Sequence, residues 1–333
     1  MTQSQIDIRE NDIFRRSPEL LAALLKDHTL STDERQINIF WATNNYADLG
    51  AGYRYDDRIT IEAITGKNGG IIKPRAVKSR DMQQRRSREM AEVFTPSWIC
   101  NKQNNLVDNA WFGRDNVFNT EVDDPDGAHS WIPTDGKILF PEGRTWRDYV
   151  RENRLEITCG EAPYLVSRYD AVTGEPIPVG WRIGLLDRKL RVVGENTETS
   201  GEWLKAAQMA YMSIYGYEWQ GDNLVLAREA LLYTFIDYYK AKFGNEPQLK
   251  SLLYIAYIIS WNIWQMDGLK CVVPDSCGTV RTTVQNLFDS TETIQTCEGC
   301  QKNDMHKHNG AYCKIMDWSQ DKVITFVSLI KQK

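Results

Sequence analysis

Residues 213–244, SIYGYEWQGDNLVLAREALLYTFIDYYKAKFG, restrict the fold more than any other stretch. SIYGYE is rich in aromatic residues and ends on an acid, which reads as a buried strand. From 224 to 244 apolar residues recur at helical spacing, with Gly244 as a stop and Pro247 beyond it. A strand that feeds a long helix is the unit of an α/β sheet. EWLKAAQMAYM, from 202, predicts a helix before that strand. RLEITCGEAPYL, 154–165, predicts another strand that runs into a turn, and a third strand is expected near 257–263. At 333 residues the chain can bury one large core or two modest ones.

Outside this alternation, SPELLAALLKDH, 17–28, places Ser-Pro before an acidic first turn, a helix start. RITIEAIT, 58–65, alternates apolar and polar residues before GKNGG and predicts a short hairpin. Residues 119–147 are dense in Asp, Gly and Pro and read as a loop between an N-terminal region and the remainder. YCKIM, ending at Met316, predicts a late strand. The N-terminus has no charged start followed by an apolar core, and the apolar run at 252–264 is too short to span a bilayer, so a cytoplasmic chain is expected.

Net charge is −5, which predicts no general attraction to nucleic acid or anionic membrane. Residues 71–90 depart from that average with Lys73, Arg75, Lys78, Arg80, Arg85, Arg86 and Arg88 in one stretch. Such a run forms either a solvated face or a ladder for the phosphate backbone, and the second reading makes these seven residues DNA contacts.

Four stretches carry the cofactor reading: AEVFTPSWIC (91–100), LEITCGEAPYL (155–165), SIYGYEWQGDNLVLARE (213–229) and SWNIWQMDGLK (260–270). A strand that ends in an acid and Cys-Gly puts backbone amides at the C-terminal edge of a sheet, where nucleotide-like ligands bind. Glu218, at a second strand end, suits a ribose diol, and Asp267, at a third, can face an adenine amino group. No phosphate-cradling glycine series is present, so an adenosine-bearing ligand fits better than a phosphate.

In the order of these motifs the chain resembles the N6-adenine DNA methyltransferases of restriction–modification systems, the class described as restriction endonuclease subunit M. Phe94, Thr95 and Pro96 match the first motif, and Glu156, Cys159 and Gly160 the second. Glu218 matches the third, and Asp267 with Leu269 the fourth. The resemblance covers about 91–270 and implies a Rossmann-like S-adenosylmethionine-dependent methyltransferase sheet of seven strands. The cofactor would be held by Phe94, Thr95, Pro96, Glu156, Cys159, Gly160, Glu218 and Asp267. It also implies double-stranded DNA as substrate, methylated at adenine N6. The expected organisation is an N-terminal α+β extension with the basic segment, 1–90, and a methyltransferase-like domain, 91–333.

Two departures stand out. Glu161, Ala162, Pro163 and Tyr164 fill the turn where the family carries a further glycine, and the family's catalytic tetrapeptide, Asn or Asp followed by Pro-Pro-aromatic, is absent after Asp267. Asp317-Trp318 is the nearest substitute, an acceptor beside a stacking ring. Fifteen residues follow Trp318, too few for a family-type target-recognition domain, so a partner subunit or the basic segment is expected to read the target. The alternative is a catalytically inactive, methyltransferase-like subunit that binds DNA or senses cofactor.

The seven cysteines concentrate toward the C-terminus, which favours metal ligation or free thiols over a disulfide framework. Within an insertion at about 271–313, Cys297 and Cys300 form a C-x2-C knuckle, followed by His306, His308 and Cys313. Four donors close a tetrahedral zinc site. The expected set is Cys297, Cys300, His308 and Cys313, with His306 as the alternate and a structural Zn²⁺ as the ion. Cys271 and Cys277, on either side of Pro274, are read as packing residues.

Overall fold

The computed structural model describes residues 10–93, 95–123, 127, 129–286 and 289–331, with the backbone alone at 90, 280–286 and 289–295. Helices α1 (Glu10–Arg16) and α2 (Pro18–Leu25) are the first described elements, and α2 starts at Ser17-Pro18 as the spacing predicts. The hairpin expected over 58–65 is instead a helical turn, α3 (Ile61–Ile64). Thr60 Oγ1 accepts the Ala63 amide at 3.2 Å, and this cap decides the local conformation over the apolar alternation. The basic stretch winds into α4 (Arg80–Met90), capped by Ser79, and is followed by α5 (Ser97–Phe112).

The loop expected over 119–147 contains an antiparallel hairpin, β1 (Asn119–Asp123) with β2 (His129–Pro133). At its end Thr145 and Asp148 form a reciprocal capping box for α6 (Trp146–Arg151). Next come β3 (Arg154–Glu156), α7 (Leu185–Glu195), α8 (Ser200–Met212), β4 (Ile214–Glu218), α9 (Gly221–Phe243), α10 (Leu249–Asn262) and β5 (Ile263–Gln265). The third strand therefore begins later than predicted. Leu252, Ile255, Ala256 and Ile259 bury one helical face, so the apolar run up to 262 is α10.

β3, β4 and β5 form a parallel sheet in that order, with Leu155 opposite Tyr215 and Glu218 opposite Gln265. A doubly wound sheet has the order 3-2-1-4-5-6, with its first strand internal. Here three parallel strands lie side by side in chain order, an arrangement common to many α/β sheets. Among the described residues no strand pairs with the outer edge of β3, and the side chains of Leu155 and Ile157 are exposed there. The remaining sheets are two-stranded hairpins: β1 with β2, β6 (Val280–Asn286) with β7 (Asp289–Gln295), and β8 (Lys314–Asp317) with β9 (Lys322–Thr325). A short helix, α11 (Glu298–Lys302), lies between the last two pairs. The fold is mixed α/β with small sheets.

The N-terminal segment packs into the same core as the sheet layer. The Gln265 side chain bonds both the amide (3.1 Å) and the carbonyl (2.8 Å) of Phe40 and so covers the outer side of β5. The Gly221 amide donates to Trp41 O at 2.9 Å, and a Cβ at Gly221 would stand 2.0 Å from Phe40 O, so only glycine can begin α9 against this segment. Buried Arg228 donates to the carbonyls of Leu24, Lys26, Ser260 and Ile263 and ties α2, α9, α10 and β5 together. Burial lowers its pKa to about 10. Among the described residues no helix is long and apolar enough to cross a membrane.

Candidate functional site

A cavity of about 880 Å³ opens at the C-terminal ends of β3 and β4. Its walls bring together Thr95, Glu156, Cys159, Gly160 and Glu218, five residues drawn from three of the four sequence motifs. Its size is that of small-molecule sites, and its position is where open α/β sheets place ligands.

The floor is built by two carboxylates. Glu218 Oε2 accepts the Gly160 amide at 2.8 Å and Oε1 accepts the Gln220 amide at 3.1 Å, so the β4 end holds the β3 turn. Glu156 accepts the amides of Tyr164 (3.4 Å) and Leu165 (3.2 Å). Burial pushes both carboxyls above the usual range despite these amides, Glu156 strongly so. The β3 turn lies in left-handed conformations at Thr158 (φ 48°), Gly160 (φ 54°) and Ala162 (φ 61°). Ala162, standing where a glycine was expected, is fully buried in that conformation, a local strain held by the packing around it.

Other expected cofactor residues lie differently. Pro96 caps α5 and lines a neighbouring cleft, not this cavity, and Phe94 lies outside the described residues. Asp267 follows β5 but turns back on its own loop. It accepts the amides of Leu269 (3.0 Å) and Lys270 (3.2 Å), pairs with Lys270 Nζ at 3.2 Å, and does not line the cavity.

Asp317 and Trp318 sit at the opposite end of the sheet. Trp318 Nε1 donates to Asn262 Oδ1 at 2.8 Å, directly before β5 begins, and Tyr215, near the start of β4, donates to Met316 O at 3.2 Å. Strand β4 separates them from the cavity by roughly 13 Å at about 3.3 Å per residue. The Asp317 carboxylate accepts Ser319 N, Ser319 Oγ and Gln320 N, which makes it a turn cap. Neither residue reaches a ligand at Glu218.

The basic stretch divides in two. Arg86 is buried and contacts Glu92 (2.5 Å) and Asp222 (2.8 Å), with Gln220 and Asn223 beside it, and Lys78 is buried 3.9 Å from Glu92. These two cations fix α4 against the start of α9, so they are internal ion-pair residues and not DNA contacts. Asp222 is held below its usual range because Arg86 and Lys78 outweigh its burial. Lys73, Arg80, Arg85 and Arg88 are exposed and Arg75 is half-buried. Arg75, Arg80 and Arg88 line a recess of about 400 Å³ with Gln83, Gln84 and Ser87, and Arg88 also lines the large cavity.

The insertion contains a cluster that could hold a metal ion such as zinc: Cys277, Cys297, Cys300 and His308, with donor atoms within 4.8 Å of one another. His308 Nδ1 stands 3.4, 3.5 and 3.6 Å from the sulfurs of Cys277, Cys297 and Cys300. A tetrahedral zinc with bonds of about 2.3 Å to sulfur and about 2.0 Å to nitrogen sets these separations at roughly 3.5 Å. The β6–β7 hairpin, pairing Val280 with Gln295, brings Cys277 from one end beside Cys297 at the other. Gly299 is required in the knuckle, because a Cβ there would lie 2.6 Å from His308 N. The Asn309 amide donates to Cys297 Sγ at 3.3 Å. Burial opposes the Cys297 thiolate, but amide bonds from Asn309 and Cys300 and the His308 contact bring it down to about 6, whereas burial raises Cys277 to about 12.

This cluster corrects the expected ligand set. Cys313 is buried 3.4 Å from Gln265 O beneath β5, and His306 stands outside the cluster. Cys277, read from sequence as packing, takes the fourth place, while Cys271 is indeed fully buried.

Sequence reasoning also missed Asn44, Tyr55, Trp219 and Asp275, which line the cavity. Asp275 accepts the Tyr55 hydroxyl at 2.5 Å, and it precedes the metal-cluster residue Cys277 by two positions, so the cluster anchors the loop that carries it. The signal for Asp275 was its place after Pro274, a turn between two cysteines. No protein-family model matches the chain, and neither the curated proteins nor the solved structures contain a match.

Proposed function

We propose that the chain is an S-adenosylmethionine-dependent DNA methyltransferase acting on adenine N6, the modification component of a restriction–modification system. The supporting observation is the cavity that gathers Thr95, Glu156, Cys159, Gly160 and Glu218 at the C-terminal ends of adjacent parallel strands. Three parallel strands side by side in chain order are compatible with a Rossmann-like methyltransferase sheet, as with many α/β sheets. Each Glu218 oxygen accepts one amide hydrogen bond and retains acceptor capacity for a ribose hydroxyl. The cofactor supplies an electrophilic methyl group. Half-buried Trp219 would offer a stacking surface for a flipped adenine, and Asp275, which lines the same cavity, would accept the proton that the target amine gives up. Arg80 and Arg88 follow the phosphate backbone of double-stranded DNA toward the cavity, and the metal, a structural Zn²⁺, fixes the Asp275 loop. A partner subunit reads the target sequence.

A second reading, a cofactor-binding subunit without transfer chemistry, is favoured by Asp317 and Trp318 lying at the far edge of the sheet. Calorimetric titration with S-adenosylmethionine, followed by transfer of labelled methyl groups to unmethylated DNA, separates the two. Transfer that Asp275→Asn abolishes while cofactor binding persists supports the first reading. Binding without transfer by the wild-type chain supports the second, and no binding refutes both.

A further inference from the structure

Beside the large cavity, across the turn Thr95–Ser97, lies a separate cleft of about 510 Å³. The β1–β2 hairpin contributes His129 and Trp131, the start of α5 contributes Trp98, and the turn Val179–Trp181 contributes Trp181, which is 48% exposed. Trp98 stacks on His129 with ring centres 3.9 Å apart, and Trp131 Nε1 donates to Trp181 O at 2.8 Å. The three indoles make no ring contact with one another; His129, paired with Asp123 at 2.7 Å, covers one face of Trp98, and all three indoles line the cleft.

Elsewhere the chain covers indole faces with its own cations: Arg144 lies 4.6 Å over Trp111 and Arg147 4.3 Å over Trp146. Among the described residues no lysine or arginine covers the three indoles of the cleft, and none lines it. Its charged lining residues apart from His129 are the acids Asp170 and Glu175. Asp170 is fixed in place by the amides of Ser97 (2.7 Å), Val172 (2.9 Å) and Thr173 (2.8 Å). Electron-rich ring faces beside carboxylates attract a positive charge, and they repel a phosphate backbone.

We infer that this cleft, formed by Trp98, Trp131 and Trp181 with Asp170 and Glu175, is a binding site for an organic ammonium cation, a quaternary or alkylated amine held against the indole faces. It stands apart from the cofactor reading and involves none of the residues assigned to methyl transfer.

Choline and its neutral isostere 3,3-dimethylbutanol, titrated into the full chain and followed by calorimetry and tryptophan fluorescence, test it. Choline is expected to bind saturably and at least about tenfold more tightly than the neutral isostere. Trp181→Ala, at a half-exposed position, is expected to weaken choline binding about tenfold with unchanged thermal melting, and Glu175→Gln to weaken it about threefold. Three results overturn the inference: no saturable choline binding, equal binding of the isostere, or an unaffected Trp181→Ala variant. Adenosine binding the cleft more tightly than choline also overturns it, in favour of a neutral base.

Discussion

Replacing Cys277 by serine should strip the chain of its metal, whereas replacing Cys313 should not. A complete structural zinc site contributes about 10–16 kcal/mol of apparent binding free energy, so one of four ligands accounts for roughly 3 kcal/mol, about a hundredfold in metal affinity. Cys277 Sγ lies 3.4 Å from His308 Nδ1 at the centre of the donor cluster, and serine there offers a poor zinc ligand. Cys313 is buried against Gln265 O, where serine loses a small apolar contact at a cost of about 1 kcal/mol without touching the cluster. Elemental analysis after dialysis against a moderate chelator reads the difference directly. Wild type and Cys313→Ser should retain one metal per chain, and Cys277→Ser should retain little. Loss of metal from Cys313→Ser with retention in Cys277→Ser would refute the assigned cluster.

Four further outcomes follow from the same geometry. Arg80→Ala and Arg88→Ala should each reduce the salt dependence of DNA binding by about one unit of slope. Arg86→Met, which leaves Glu92 and Asp222 only Lys78 as a nearby cation, should instead destabilise the fold by about 3 kcal/mol in urea unfolding. Burial raises Glu10 to about 7, so the folded state holds a proton that the unfolded state releases near 4.5. Glu10's share of the stability is therefore lost as pH rises from about 4.5 through about 7, beside the shares of the other carboxyls that burial raises, Glu229, Glu156 and Glu218. Glu10→Gln should lessen the pH slope of unfolding measured across the interval. On the proposed function, Asp317→Asn should leave methyl transfer to DNA unchanged, because the carboxylate caps its own turn, and a loss of transfer with cofactor binding intact would give Asp317 the catalytic role instead.

The sheet-forming half of the chain was legible because its signals are local. Helix α9 ends at Gly244 in a left-handed cap, as composition and spacing require, and the strands ending at Glu156 and Glu218 lie side by side. The failures share a cause in non-local packing. RITIEAIT alternates like a strand, yet a single threonine cap turned it into a helix. Arg86 reads as one more surface charge until Glu92 and Asp222 arrive from six and 136 residues away. Cys277 lies twenty residues before its partner Cys297, and only the β6–β7 hairpin brings the two together. Asp317-Trp318 had suitable chemistry, but strand direction, which a dipeptide does not encode, placed it at the wrong edge.

The central claim is that Glu218 holds the ribose of an adenosine-bearing cofactor in the cavity above β3 and β4. Calorimetric titration of S-adenosylmethionine into wild type and Glu218→Gln, with thermal melting as the folding control, tests it directly. The account predicts one site per chain in wild type and binding at least about tenfold weaker in the folded variant, the cost of an impaired charge-assisted hydrogen bond. Absence of binding to wild type, or equal affinity in the two proteins, would contradict it.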